Sequence, residues 1–239
     1  MATTSQFTID GNTRALYHMD GTVGSAGKLD NAEGTSARDL AETGTLTAQT
    51  GVIVPTTNGA YRSSAGASDY LTFTPSIGTG QFTVEGWVNA NAYSVGEVIF
   101  SSFNASNYIQ MAVDGSVNTR WFAEINFSDG VTGGYFTAPS TGAWNYVALT
   151  YDQSGSNSVK VYVNGSAVTF TITGGVNTRT GNVSDATFRF FRHSGGAGVT
   201  NTWNIDEFRF SNIARTSTEI SNYYNDGGTK KNLTLLGVS

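Results

Sequence analysis

The sequence contains no cysteine and only three prolines among its 239 residues. The absence of cysteine excludes disulfide bonds, thiolate metal sites and a cysteine nucleophile. No stretch approaches the roughly 18 consecutive apolar residues of a membrane-spanning helix, so we expect no membrane insertion. The first residues carry neither a basic stretch nor an apolar core, and no signal peptide is predicted there.

Charged residues are also scarce. They make up 13% of the chain, and the formal net charge is −5. The four lysines, at positions 28, 160, 230 and 231, form no basic stripe. The chain therefore lacks the electrostatic footprint of a nucleic-acid-binding protein, and an acidic membrane surface is an equally poor partner.

The sequence is instead rich in glycine, in small polar residues and in aromatic side chains, with 29 glycines and 12% aromatic residues. This mixture is typical of many strands joined by tight turns. Apolar and polar residues alternate with a period of two in several segments. Asn164-Gly165 follows one of them and predicts a hairpin, because both central positions of a type I′ turn need positive φ. The predicted strands are 15–19, 70–73, 82–88, 108–113, 120–127, 134–137, 144–151, 159–163, 166–172, 188–192 and 205–210.

One helix is predicted near the C-terminus. Thr216 and Glu219 form a capping-box pattern, with a hydroxyl at the N-cap and a carboxylate three residues later. Gly227 and Gly228 are expected to end the helix after one or two turns. Nothing marks a second domain. Residues 1–239 are therefore predicted to form one domain with short arms at 1–12 and 229–239.

The order of these segments resembles the concanavalin A-like lectin/glucanase superfamily and, within it, the laminin-G-like domains. The resemblance spans about residues 10 to 226. The most specific match is the segment 204–220, which is similar to the closing signature I-D-E-x-R followed by A-R and E-I. The other similar segments are 15–21, 69–73, 82–88, 144–151 and 159–165. The resemblance implies an all-β fold, a two-sheet antiparallel β-sandwich or jelly roll, with one short C-terminal helix.

In many relatives a calcium ion ties the first loop to the closing strand, and the resemblance implies that Asp20, Asp30 and Asp206 are its ligands here. Calcium prefers carboxylate and carbonyl oxygens, which these positions and a glycine-rich loop can supply. The alternative places Asp20 and Asp30 in turns. It pairs Asp206 with Arg209 or with a backbone amide.

Two further carboxylates, Glu85 and Glu207, lie on predicted strands. We expect them on the surface of a sheet, paired with an arginine such as Arg189, Arg192 or Arg209. The acidic pattern that the superfamily's glucanases carry on one strand, E-x-D-x-x-E or E-x-D-x-E, does not occur here. Neither do the motifs of its lyase-like members. Because hydrolysis of a glycoside needs a pair of carboxylates, the sequence argues against an enzyme.

Aromatic faces stack on sugars while polar side chains fix the hydroxyl groups, which is how lectin surfaces work. Two tryptophans in motif strands, Trp87 and Trp144, are assigned to the core. His18 lies within the opening strand, and His193 precedes the glycine-rich loop 194–198. The candidate ligand-contacting residues are Tyr93, Tyr108, Trp121, Tyr135, Arg192 and His193.

The favoured interpretation is a non-catalytic binding or adhesion module on a phage virion surface, as a capsid decoration or tail-associated protein able to bind glycans. The opening segment 13–21 resembles phage-encoded laminin-G-like proteins. The expected partners are glycans or host cell-surface polysaccharide together with capsid or tail proteins, and a homo-oligomer is left open. A secreted bacterial carbohydrate-binding lectin domain is the alternative. A glycoside hydrolase or polysaccharide lyase is the third.

Overall fold

The chain forms two eight-stranded antiparallel sheets in the computed structural model, followed by a single helix, α1 (Ser217–Leu233). The structure describes residues 7–19, 38–51, 59–62, 68–103, 108–153, 156–183, 187–193 and 198–233. The strands are β1 (Thr13–Tyr17), β2 (Ala41–Thr43), β3 (Thr47–Thr50), β4 (Gly59–Arg62), β5 (Tyr70–Phe73), β6 (Phe82–Ala90), β7 (Val98–Phe103), β8 (Ile109–Val113), β9 (Arg120–Phe127), β10 (Gly130–Thr137), β11 (Asn145–Tyr151), β12 (Val159–Val163), β13 (Ser166–Ala167), β14 (Thr171–Gly175), β15 (Thr187–Phe190) and β16 (Trp203–Ser211). The all-β sandwich expected from the sequence is confirmed.

The first sheet has the order β13-β12-β11-β6-β16-β4-β3, and β1 also pairs with β16. The second sheet has the order β14-β10-β9-β8-β7-β15-β5-β2. Neighbouring strands are often far apart in sequence, as expected for a jelly roll. No helix in the described ranges is long and apolar enough to cross a bilayer.

The main core lies between the two sheets and follows from the period-two pattern. In β9, Trp121, Ala123, Ile125 and Phe127 are buried, whereas the residues between them are only half-buried. The inner face of β15 likewise carries two fully buried phenylalanines, Phe188 and Phe190. Each strand therefore presents one apolar side to the core and one side outward, and function must come from an outward side or from the loops.

The hairpin predicted at Asn164-Gly165 forms, but its second arm is short. Asn164 and Gly165 both have positive φ, as the turn requires. The chain then pairs with β12 only over Ser166–Ala167 before it crosses to the second sheet as β14. The strand predicted at 166–172 is therefore two short strands in different sheets, because register on an edge strand is weakly specified by sequence.

The capping box is confirmed, but the end predicted for the helix is wrong. The Thr216 hydroxyl accepts a hydrogen bond from the Glu219 amide at 3.2 Å, and Glu219 accepts one from the Thr216 amide at 2.8 Å. Helix α1 continues through Gly227 and Gly228 to Leu233. A helical glycine costs about 1 kcal/mol but does not by itself terminate a helix.

The predicted terminal arms are also shorter than expected. Residues 229–233 belong to α1. At the other end Phe7 is 6% exposed and packs in a second hydrophobic cluster beneath the helix. Phe7 is thus packed against the domain body, whereas residues 8–11 are exposed.

Candidate functional site

The outer face of the first sheet is covered. Helix α1 and Phe7 lie over it, and their apolar side chains form a second cluster with residues of β1, β6, β11 and β12. Ile220 is fully buried there, and the ring of Tyr224 stacks on Trp87 with centroids 5.8 Å apart. We refer to this side of the molecule as the covered face.

The charges on the covered face are buried and mutually paired. Glu85 accepts hydrogen bonds from Nε and Nη2 of Arg209 at 2.8 and 2.6 Å, and another from the hydroxyl of Tyr146. Arg215 also contacts Glu85, at 3.2 Å. Burial raises the pKa of Tyr146 well above its usual value, and the Glu85 carboxylate raises it further. The prediction that Glu85 is a sheet-surface charge is wrong, although Arg209 is one of its expected partners.

Glu207 is also fully buried, because β16 bulges there. In the pairing of β16 with β6, Asp206 lies opposite Trp87 and Arg209 lies opposite Glu85. Between these two positions β16 has two residues and β6 has one. Glu207 lies in this bulge with φ of +50° and accepts hydrogen bonds from the Phe7 amide and from Nδ1 of His18, both at 3.0 Å. The predicted surface position of Glu207 is therefore wrong as well.

The outer face of the second sheet is different, and we call it the open face. Six residues on six adjacent strands stand side by side across it, as the strand pairings show. We call them the cross-sheet row. At roughly 4.8 Å between strands, the row extends over about 24 Å. It consists of Gly133, Glu124, Gln110, Ser101, Arg189 and Thr72.

The row is polar, and its centre has an unused hydrogen-bonding group. Gln110 is half-buried, and its side-chain amide forms no hydrogen bond with any other described residue. Glu124 is the only carboxylate of the row and accepts a hydrogen bond from the hydroxyl of Tyr108. Burial raises the pKa of Tyr108, and Glu124 raises it further. Glu124 packs over Gly133, where a Cβ atom would lie 2.8 Å from its Oε2.

Each end of the open face carries an aromatic ring beside an arginine. At one end the guanidinium of Arg120 lies 3.9 Å from the ring centroid of Tyr135 and forms a 3.0 Å ion pair with Asp114. At the other end two guanidinium groups flank Tyr70. The Cζ atoms of Arg189 and Arg192 are 5.3 and 4.8 Å from its ring centroid.

An open cleft of about 510 Å³ adjoins the Tyr135 end of this face. It lies within the size range of small-ligand sites. Tyr93 lines it, and the ring of Tyr93 rests on Trp121 and Trp203, with centroids 5.4 Å away in both cases. Burial raises the pKa of Tyr93. The polar residues of the cleft are Asn91, Asn118, Thr119, Thr137 and Thr141.

Glu97 positions the loops behind this cleft. It is 2% exposed and accepts hydrogen bonds from the amide groups of Thr200 and Asn201 at 2.7 and 2.6 Å, and from Ser94 at 2.9 Å. Burial alone would raise the pKa of Glu97, but these hydrogen bonds outweigh it and hold the pKa below its usual value. The carboxylate thereby ties the 91–97 loop to the 198–202 loop.

The residues predicted to contact a ligand are not all on this surface. Tyr108, Tyr135 and Arg192 lie on the open face, Tyr93 lies in the cleft, and half-buried His193 directly follows Arg192. Their contact with a ligand stays a prediction. Trp121 is fully buried, and the prediction that its ring faces a ligand is corrected, because the alternation of β9 points it into the core beneath Tyr93.

The predicted metal ligands are only partly within the described residues. Asp206 is fully buried on β16, whereas Asp20 and Asp30 lie outside the described ranges. Among the residues that the structure does describe, no three His, Asp or Glu side chains are grouped so that they could hold a metal ion. The calcium site stays a prediction.

Sequence reasoning missed Gln110, Tyr70 and the outward position of Arg189 on the open face. Arg189 stands between two phenylalanines in Thr187–Phe190, so its outward direction is readable from alternation alone. The row itself is not readable, because it depends on the pairing of strands distant in sequence.

The sequence of this sandwich matches the model of a known protein family. The model for the laminin-G-type group of the concanavalin A-like lectin/glucanases superfamily matches residues 65–221. This chain belongs to that superfamily. The match covers most strands of both sheets, including the row, and confirms the resemblance drawn from the closing segment. No match was found among curated protein sequences.

Two of the solved structures similar to this superfamily member are binding domains, and a third is a domain of an arabinanase. The botulinum neurotoxin serotype G binding domain superposes with a TM-score of 0.65 at 15% identity, covering 89% of this chain and 50% of that one. The binding domain of Paraclostridial Mosquitocidal Protein 1 gives 0.66 at 12%, with 90% and 52% covered. The chain thus spans about half the length of these toxin domains. Domain 4 of AbnA, an extracellular arabinanase from Geobacillus stearothermophilus solved with arabinotriose, gives 0.63 at 18%, with 88% and 97% covered.

Proposed function

We propose that this chain is a non-catalytic glycan-binding module and that the saccharide lies along the cross-sheet row of the open face. The observation that carries this proposal is the row itself. It places amide, hydroxyl, carboxylate and guanidinium groups in one line about 24 Å long, between aromatic rings at Tyr135 and Tyr70. Polar groups beside aromatic rings are the usual means of binding sugar hydroxyls and sugar faces.

The covered face supports this assignment by exclusion. Its charges are already paired with one another beneath α1, whereas the side chain of Gln110 on the open face has no hydrogen-bond partner among the described residues. The similar structures support a binding role too, since several are toxin binding domains and one holds arabinotriose. A non-catalytic role fits the row, in which Glu124 is the single carboxylate, since glycosidases need two.

The test is a glycan array followed by titration calorimetry on the best ligand. We expect Gln110→Ala to weaken binding about tenfold, which corresponds to the loss of one well-formed hydrogen bond or slightly more. Lys160→Gln is the matched control, since Lys160 is exposed on β12 of the other sheet. Equal weakening by both variants, or no binding to any glycan, would refute the proposal.

The cleft extends the same surface, because Thr119 precedes Arg120 and Thr137 lies two residues after Tyr135. Asn118 is exposed there and donates a 3.2 Å hydrogen bond to the Tyr93 carbonyl. We propose that the cleft receives the end of a longer saccharide. Asn118→Ala should then weaken the binding of a hexasaccharide and leave the affinity for a disaccharide unchanged in the same titration.

We further propose a virion-surface setting and a calcium ion held by Asp20, Asp30 and Asp206. The virion-surface setting rests on the resemblance of the opening segment. Mass spectrometry of purified virions tests it, and absence of the chain from the particle would refute it. The second rests on the family and on a buried carboxylate at Asp206. Calcium should raise the melting temperature over that in EGTA, and Asp206→Asn should abolish the difference.

A further inference from the structure

Two arginines stand at the Tyr70 end of the open face. Arg189 lies in the row and Arg192 follows the end of β15, so both guanidinium groups flank the same ring. Neither forms an ion pair with a carboxylate in the described part of the chain. Arg120, Arg209 and Arg215, in contrast, all have acidic partners.

Arg192 also has a polar atom without a partner. Its Nε is shielded from solvent and forms no hydrogen bond with any described residue. A shielded donor without an acceptor is unfavourable and calls for an explanation. The rest of the residue is held in place, since the Ser101 hydroxyl donates a 2.9 Å hydrogen bond to the Arg192 carbonyl. The backbone of Arg192 is thus fixed, and its Nε remains available as a donor.

Two guanidinium groups beside one aromatic ring, without an acidic partner among the described residues, have a definite chemical preference. The planar fork of arginine donates two parallel hydrogen bonds to a carboxylate or to a similar oxyanion. The ring supplies an apolar surface of the kind on which a sugar face packs. The two positive charges, less exposed than charges in free solution, favour an anion over a neutral hydroxyl.

We propose that the Tyr70, Arg189 and Arg192 cluster is an anion subsite, which selects saccharides carrying a carboxylate or a sulfate group. This inference rests on the proposed glycan-binding function and names the substrate class of the same face. Glu124, at the other side of the row, would oppose a second anionic group. The subsite therefore favours one charged unit at the Tyr70 end of an otherwise neutral chain.

The experiment compares matched saccharides by titration calorimetry on the full chain. The pairs are 3′-sialyllactose against lactose, and a lactose sulfate against lactose, so that carboxylate and sulfate are separated. We expect at least one charged member to bind about tenfold more tightly than lactose. Arg189→Gln and Arg192→Gln should each remove most of that preference, so that charged and neutral members bind with nearly equal affinity.

Two further measurements distinguish specific recognition from general attraction. Arg192→Lys keeps the positive charge but loses the planar guanidinium group, so it should retain only part of the preference for the charged saccharide. Lys160→Gln should have no effect. Equal affinity for charged and neutral members would overturn the inference and leave the glycan-binding proposal standing. Absence of binding to every saccharide would overturn both.

Discussion

The two outward faces of this sandwich begin from the same strand pattern and end in opposite states. On the first sheet the outward side chains include Glu85, Trp87 and Arg209, and all three are buried under α1 and Phe7. On the second sheet the outward side chains include Glu124, Gln110 and Arg189, which are polar and half-buried. The pattern of alternation is thus not sufficient to identify the solvent-facing side.

The difference shows how charge is treated on each face. Buried ions must be paired, because desolvation of a lone charge costs several kcal/mol. The covered face meets this requirement with Glu85 between two arginines. The open face leaves Arg189 and Arg192 without acidic partners among the described residues, which costs less near water and leaves their donors available for a ligand.

The largest expected effect comes from breaking the charge cluster of the covered face. Glu85→Gln should lower the free energy of unfolding by about 3–5 kcal/mol, because it leaves Arg209 and Arg215 buried without their carboxylate. Urea denaturation measures this change. The matched variant on the open face, Glu124→Gln, should cost less than about 1 kcal/mol. Similar costs for the two variants would mean that the faces do not differ as described.

Weakening the cover itself should have the next largest effect. Ile220 is fully buried beneath α1, so Ile220→Ala should cost about 2–3 kcal/mol in urea denaturation. Asn222 lies exposed on the same helix, and Asn222→Ala should change stability by no more than about 0.5 kcal/mol. The folded fraction of Ile220→Ala should keep the glycan affinity of the unaltered chain. A loss of affinity would indicate that the glycan binds the covered face and not the open face.

Low pH should lower the free energy of unfolding, because Glu97 then loses the hydrogen bonds that hold the loops behind the cleft. The pKa of Glu97 is lower in the folded chain than in the unfolded chain. Its stabilisation is therefore complete above the unfolded-state pKa and is lost as the pH falls through the folded-state value. We expect Glu97→Gln to cost about 2 kcal/mol at pH 7. The cost should shrink toward pH 3 in thermal melts, and a cost independent of pH would contradict this account.

The smallest effect concerns the start of the covering helix. Thr216→Ala removes the capping hydroxyl and should lower stability by about 1 kcal/mol. Thr216→Ser keeps the hydroxyl and is the control, with little change expected. If both substitutions cost the same in urea denaturation, the cap does not contribute to holding α1 in place.

Much of the fold was predictable, but less of the site. The strands Tyr70–Phe73, Arg120–Phe127 and Val159–Val163 have the predicted bounds, because alternation and turn residues act locally. The alternation of β9 is also a local signal, and it places Trp121 on the same inward side as Ala123. The row could not be predicted, because Gln110 and Arg189 become near neighbours only through β7.

The sequence by itself determined which residues alternate, where the hairpins turn and where α1 begins, since each depends on neighbours a few positions apart. Only the tertiary structure decided which outward side became a surface. Phe7 donates its backbone amide to Glu207, 200 residues away, and that long-range contact helps to close the covered face. A period of two separates the two sides of a strand, but nothing local states whether the outward side will meet water or another part of the chain.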